Sequence, residues 1–163
     1  MSDWREPITD RMATDVAGAD AGSLAYQKGT LNADDLSRIE GNYRYLLEHL
    51  ETDAIFIPHA YRNREETTVN PDGTVTKTIY TDWQEHNLPW LSEINRIRAN
   101  YNALVRLFLV GLGLPILTES NYLDWQEVNE WERIADVGKT IFENMEKEYR
   151  YCGVEESGGD RLL

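Results

Sequence analysis

Apolar residues recur at helical spacing in three stretches of the chain. Leu36, Ile39, Tyr43, Leu46, Leu47 and Leu50 fall on one face of a helix that starts near Asn32–Asp34. Asn32 or Asp34 can cap it, and the early acids suit the helix dipole. Gly41 sits inside this helix, where close packing of a neighbouring backbone is one reason to keep it. Ile94, Ile97, Tyr101, Leu104, Val105 and Phe108 form a second stripe after Leu88-Pro89-Trp90, with Ser92 as the expected N-cap. Gly111, Gly113 and Pro115 end that helix. A third stripe, Val128, Trp131, Ile134, Val137, Ile141 and Met145, predicts a helix from about Ser120–Asp124 to Tyr149.

Between the first two helices the period changes. AIFIP, residues 54–58, reads as a short buried run. The stretch 65–81 is rich in threonine and valine and is broken by Asn70-Pro71-Asp72-Gly73, the signature of a type I turn. It predicts a β-hairpin. Residues 1–30 read as an N-terminal arm. It holds a short helix capped by Thr9, with Arg11 and Asp15 paired one turn apart, and a loop from Asp20 to Thr30. Residues 152–163 are glycine-rich and acidic and read as a flexible tail. The expected architecture is mainly α: a three-helix bundle over 31–151 with an inserted hairpin.

The first two helices repeat each other. Setting Arg38 over Arg96 aligns Ile39 with Ile97, Asn42 with Asn100, Tyr43 with Tyr101 and Leu46 with Leu104. Apolar matches are cheap, because any two core helices share a stripe. The Arg and Asn matches are not. They lie one helical turn apart beside the stripe, placed to bind a carbonyl or carboxylate of a neighbouring segment. The plainer reading makes both pairs solvated helix flanks. An internally duplicated bundle is the expectation, with the third helix echoing it in NEWERIADV.

Charge narrows the partners. The formal net charge of -13 argues against nucleic acid and against an anionic membrane surface, both of which require a basic face. The longest apolar stretch, residues 104–117, is interrupted by Arg106, two glycines and Pro115 and is too short to span a bilayer. No secretory leader is legible in residues 1–20. The single cysteine, Cys152, allows no internal disulfide and suits a reducing cytoplasm.

The order WREPITDRMATDV, LNADDLSRIEGNYRYL, YTDW, SEINRIRANYNAL, NEWERI and YRYCGVEESGG resembles a family of small virion proteins of tailed phages from Gram-positive hosts. Members are encoded among tail and baseplate genes and carry W-x-x-P-x-T-D-R-T-x-x-D-V, then D-L-N-R-I-E-x-N, then N-R-I-R-x-N. The resemblance spans nearly the whole chain. Met12, Ser37 and Cys152 depart from the usual Thr, Asn and Ser. It implies a structural part of the virion, made in the host cytoplasm, with other virion proteins as partners and a symmetric homo-oligomeric arrangement. It implies no catalytic residues.

Catalytic and metal signatures do not stand out. His49, His59 and His86 are isolated, and no H-E-x-x-H or paired Cys occurs. No G-x-S-x-G or phosphate-binding loop is present. With 29 acids in the chain, neighbouring carboxylates such as Glu65–Glu66 are expected by abundance and carry no argument for glycosidase chemistry. No cofactor is expected. The aromatics offer a second reading. Trp83, Trp90 and Trp125 lie in or beside loops before helices, and Asn70 and Asp72 tip the hairpin. Loop tryptophans staple bundle ends, or contact a protein partner or a cell-wall glycan. The expectations are therefore a non-enzymatic tail or baseplate assembly subunit, and alternatively a host-glycan-binding module.

Overall fold

The computed structural model describes residues 3–20, 29–52, 62–84, 89–108 and 113–155. The run 54–58, the loop 21–28, Gly111, His59, His86 and the end of the tail, 156–163, lie outside them. In chain order the described elements are α1 (Ala13–Asp20), α2 (Ala33–Thr52), β1 (Arg64–Val69), β2 (Val75–Tyr80), α3 (Leu91–Phe108) and α4 (Trp125–Glu155). The fold is mainly α with one antiparallel hairpin.

Local chemistry explains most boundaries. Asn32 caps α2 reciprocally: its Oδ1 accepts the Asp35 N–H at 3.0 Å, and the Asp35 carboxylate accepts the Asn32 N–H at 3.2 Å. Asp124 caps α4 by accepting the Glu127 N–H at 2.8 Å. Two expected caps are corrected. α3 starts one residue before Ser92, and the Trp90 carbonyl accepts the Glu93 and Ile94 N–H groups, so Ser92 lies inside the first turn. α1 starts at Ala13, with the Asp15 carboxylate accepting the Met12 N–H at 2.8 Å, so Thr9 caps nothing. α4 continues to Glu155, past the expected end near Tyr149 and through residues 152–155 of the expected tail.

The hairpin pairs Arg64 with Tyr80 through Val69 with Val75. Its turn follows the sequence. The Gly73 N–H reaches the Asn70 carbonyl at 2.9 Å, and Gly73 takes a φ of 80°, open to glycine without strain.

One apolar cluster joins α2, α3 and α4. Leu36, Ile39, Tyr43 and Leu46 meet Ile97, Tyr101 and Leu104 and Val128, Trp131 and Ile134, all buried. The α2 and α3 stripes match the periodicity, apart from Leu47, which is only half-buried, and Leu50 and Phe108, whose side chains are not described. The α4 stripe does not match fully. After Ile134 the buried positions are Ala135, Gly138 and Phe142, while Val137 and Ile141 are half-buried and Met145 is exposed. Gly138 hides this track, because it has no side chain to mark a core position. A Cβ there would sit 2.9 Å from Leu46 Cδ1, so the glycine lets α2 and α4 approach. Gly41 faces open space, which overturns the expected backbone contact at that position.

Candidate functional site

Beside this core lie buried charges. Arg11, which precedes α1, donates to Asp35 at 3.1 Å and to Glu132 at 3.0 Å. Arg38 donates through Nε to Glu132 at 3.1 Å and through Nη2 to both Asp35 and Glu132. Glu132 is wholly buried, and the other three are nearly so. Two cations and two anions thus neutralise each other away from water. Burial opposes the Arg38 charge, but its bonds to Glu132 and Asp35 outweigh burial and raise its pKa above the ordinary arginine value.

Arg96 makes the corresponding contacts on α3. It donates to Glu93 on its own helix at 2.9 Å, to Glu40 on α2, and to the Arg62 carbonyl at 3.0 Å. Burial again opposes its charge, and the pairing with Glu40 and Glu93 raises its pKa.

The repeated asparagines also act alike. Asn42 accepts the Arg5 N–H at 2.9 Å and donates to the Arg5 carbonyl at 2.7 Å. Asn100 does the same to Arg62, at 2.8 and 2.9 Å. Each amide thus satisfies both backbone groups of one residue, as a neighbouring strand would. The solvated-flank reading fails for all four residues.

Sequence reasoning missed further members of this set. Asn129 grips both backbone groups of Arg11, at 3.2 and 2.9 Å, and Asn102 grips those of Leu117, at 2.9 and 2.7 Å. Arg98, buried, pairs with Glu127 and donates to the Ser120 and Tyr122 carbonyls at 2.6 Å, fixing the segment that leads into α4. One signal was available. Glu40, Arg98 and Glu132 stand at the same distance from the caps or cap positions Asn32, Trp90 and Asp124, and all three are buried.

The expected contact residues separate. Trp83 is buried in the core and donates its Nε1–H to Glu40 at 2.6 Å, so it is not a surface for glycan or protein. Trp90 is 75% exposed. Trp125 is half-buried and lines a depression of about 200 Å³ with Arg11, Leu123 and Val128. Asn70 donates to Thr74 and Thr76 at 2.9 Å, and Asp72 accepts from the Thr74 N–H at 2.9 Å. The Thr74 hydroxyl, which donates to Asp72 at 2.6 Å, and then the Thr74 N–H hold the Asp72 pKa below its ordinary value. Both residues thus serve the turn itself.

Among the described residues, no three His, Cys, Asp or Glu side chains converge to hold a metal ion, and no helix is long and apolar enough to cross a membrane. What the arrangement does chemically is fasten extended chain segments to helices.

Tyr101 is one exception to this pairing. It is fully buried, and its hydroxyl has no hydrogen-bond partner among the described residues. Burial, and secondarily Glu130, push its pKa above the ordinary 10.0. The fold therefore favours the neutral phenol. Its contribution is full below that ordinary value and is lost as pH rises through it toward the raised one. Tyr101→Phe is expected to match or slightly exceed the wild-type urea midpoint at pH 7. It should lose less stability than wild type above about pH 10. Parallel alkaline losses in the two proteins would remove Tyr101 from the explanation.

Comparison with protein-family models, with curated proteins and with solved structures finds no match.

Proposed function

We propose that the chain is a non-enzymatic structural protein of a tailed-phage virion, an assembly or adaptor subunit of the tail or baseplate. The observation that carries this reading is the hairpin. Every residue of β2 is exposed, and so is every residue of β1 after Arg64. Val69, Val75 and Ile79 stand on one face at 69%, 60% and 54% exposure. A two-stranded hairpin alone is marginal in water, and its two edges present unpaired backbone groups. Contact with a neighbouring subunit supplies what this arm lacks. The ordered motifs shared with small virion proteins agree with that role, and so does a described surface whose buried polar groups fasten segments rather than converge on a substrate.

We also infer that α2, α3 and α4 form a three-helix bundle whose first two helices are an internal duplicate. The support is the matched pairs Arg38/Arg96 and Asn42/Asn100, which contact equivalent partners. On this reading the protein is made in the host cytoplasm and ends in the virion, as one of several symmetric copies.

Replacing residues 66–79 by a short glycine linker tests the arm. The shortened protein is expected to keep its helical circular dichroism and to be strongly depleted from purified virions by mass spectrometry. Normal incorporation would show that the hairpin is not the docking arm. Absence of the wild-type protein from virions would sink the structural role altogether.

A second reading, a cell-wall glycan-binding module, is favoured by one observation: Trp90 and Tyr122 are 75% and 71% exposed. Aromatic faces of this kind stack on sugar rings. Pull-down with purified Gram-positive cell wall, lost in a Trp90→Ala, Tyr122→Ala variant, would support it over the assembly role.

A further inference from the structure

Residues 3–12 are neither helix nor strand, yet α2 and α4 hold their backbone at a regular interval. Asn42 grips both backbone groups of Arg5, Glu132 accepts the Ile8 N–H at 3.0 Å, and Asn129 grips both groups of Arg11. Every third residue is held, the period of a polyproline II helix, and Pro7 lies within the run. Glu6, Thr9 and Asp10 are exposed between the grips. Two arginines add charge: Arg11 to Asp35 and Glu132, and Arg5 to Asp34 at 2.7 Å.

The apolar core does not include this segment. All of its buried members lie between Leu36 and Phe142, and from residues 3–12 only Trp4 packs against them. Removal of the segment takes only Trp4 from the apolar cluster. It also leaves Asp35, Arg38 and Glu132 with one unbalanced negative charge, which an incoming arginine neutralises.

We propose that the α2/α4 surface formed by Asn42, Asn129, Asp35 and Glu132 is a binding site for an extended, arginine-bearing peptide, and that its partner is the N-terminal segment of a second copy of this chain. Grips on the backbone at every third residue select an extended conformation, and the two acids select arginine at the last of the three positions. The segment of any copy carries the same groups, so exchange between copies conserves each contact. Ten extended residues reach about 33 Å, enough to cross from one small subunit to another. The site is independent of the hairpin and of the virion role.

The test uses full-length chains. An acceptor, Arg5→Ala with Arg11→Ala, keeps the grips but weakens its own segment. A labelled peptide of residues 3–20 is titrated against it by fluorescence polarisation. The expected result is binding at least about tenfold tighter than to the same acceptor carrying Asn42→Ala and Asn129→Ala. Equal affinities, or no binding, would overturn the site. The singly altered Arg5→Ala chain serves as acceptor if the double variant loses its helical circular dichroism. A donor, Asn42→Ala with Asn129→Ala, carries an intact segment and weakened grips. Native mass spectrometry of mixed donor and acceptor is expected to show a mixed complex that neither forms alone. Peptide binding without that complex would overturn the second copy as partner.

Discussion

Glu132→Ala is expected to cost about 3–5 kcal/mol of folding stability, a large loss for a single charge change. The reason is arithmetic of charge in a dry place. Glu132 is fully buried and receives bonds from Arg11, Arg38 and the Ile8 backbone. Its removal takes the fully buried carboxylate away from two buried guanidiniums that share Asp35, and orphans the Ile8 backbone N–H beside them. An uncompensated buried charge costs more than the pair ever contributed. Glu132→Gln keeps the shape but loses the charge, and is expected to lose less. Urea unfolding followed by circular dichroism measures both, and a loss below about 1 kcal/mol for Glu132→Ala would mean that water reaches the cluster.

Why this residue escaped the sequence follows from how patterns arise. The α2 and α3 stripes were legible because a helix returns the same face at a fixed period, so Ile39, Tyr43, Ile97 and Tyr101 announce themselves. Arg38, Asn42, Arg96 and Asn100 were legible because they occur twice. Asn129 occurs once, and although Glu132 shares its distance from the cap with Glu40, in an acid-rich chain that coincidence is a faint signal. Their partners, Arg11 and Ile8, lie far away in sequence, and only the fold brings them together. Trp83 failed in the opposite direction. Its loop position suggested a surface contact, but Glu40 accepts its indole N–H, and the guanidinium of Arg64 lies 4.2 Å over its ring. A loop residue's burial depends on what lies beneath it, which local sequence does not state. The α4 track failed because Gly138 is silent in a hydrophobic pattern, and because Ile141 and Phe142 are adjacent candidates for one core position.

Trp131 is the largest fully buried side chain of the cluster that joins α2, α3 and α4, and Trp131→Ala is expected to cost about 3–5 kcal/mol. The ring is fully buried and packs among residues of α2, α3 and α4. Its deletion opens a cavity that three helices, each held to extended segments by asparagine grips, cannot close by shifting. Trp131→Phe separates packing from polarity. The indole Nε1 has no hydrogen-bond partner among the described residues, so its loss removes an unpaired donor along with part of the ring. Phenylalanine should therefore recover most of the stability that alanine loses. The Tyr43 hydroxyl donates to the Trp131 backbone carbonyl at 2.9 Å, a bond that both variants retain, so the comparison reads the side chain alone. Circular dichroism is the proper readout of urea unfolding here, because both variants remove a tryptophan fluorophore. Equal losses for alanine and phenylalanine would mean that the indole N–H is bonded after all. A negligible loss for alanine would mean that the helices do not share this core.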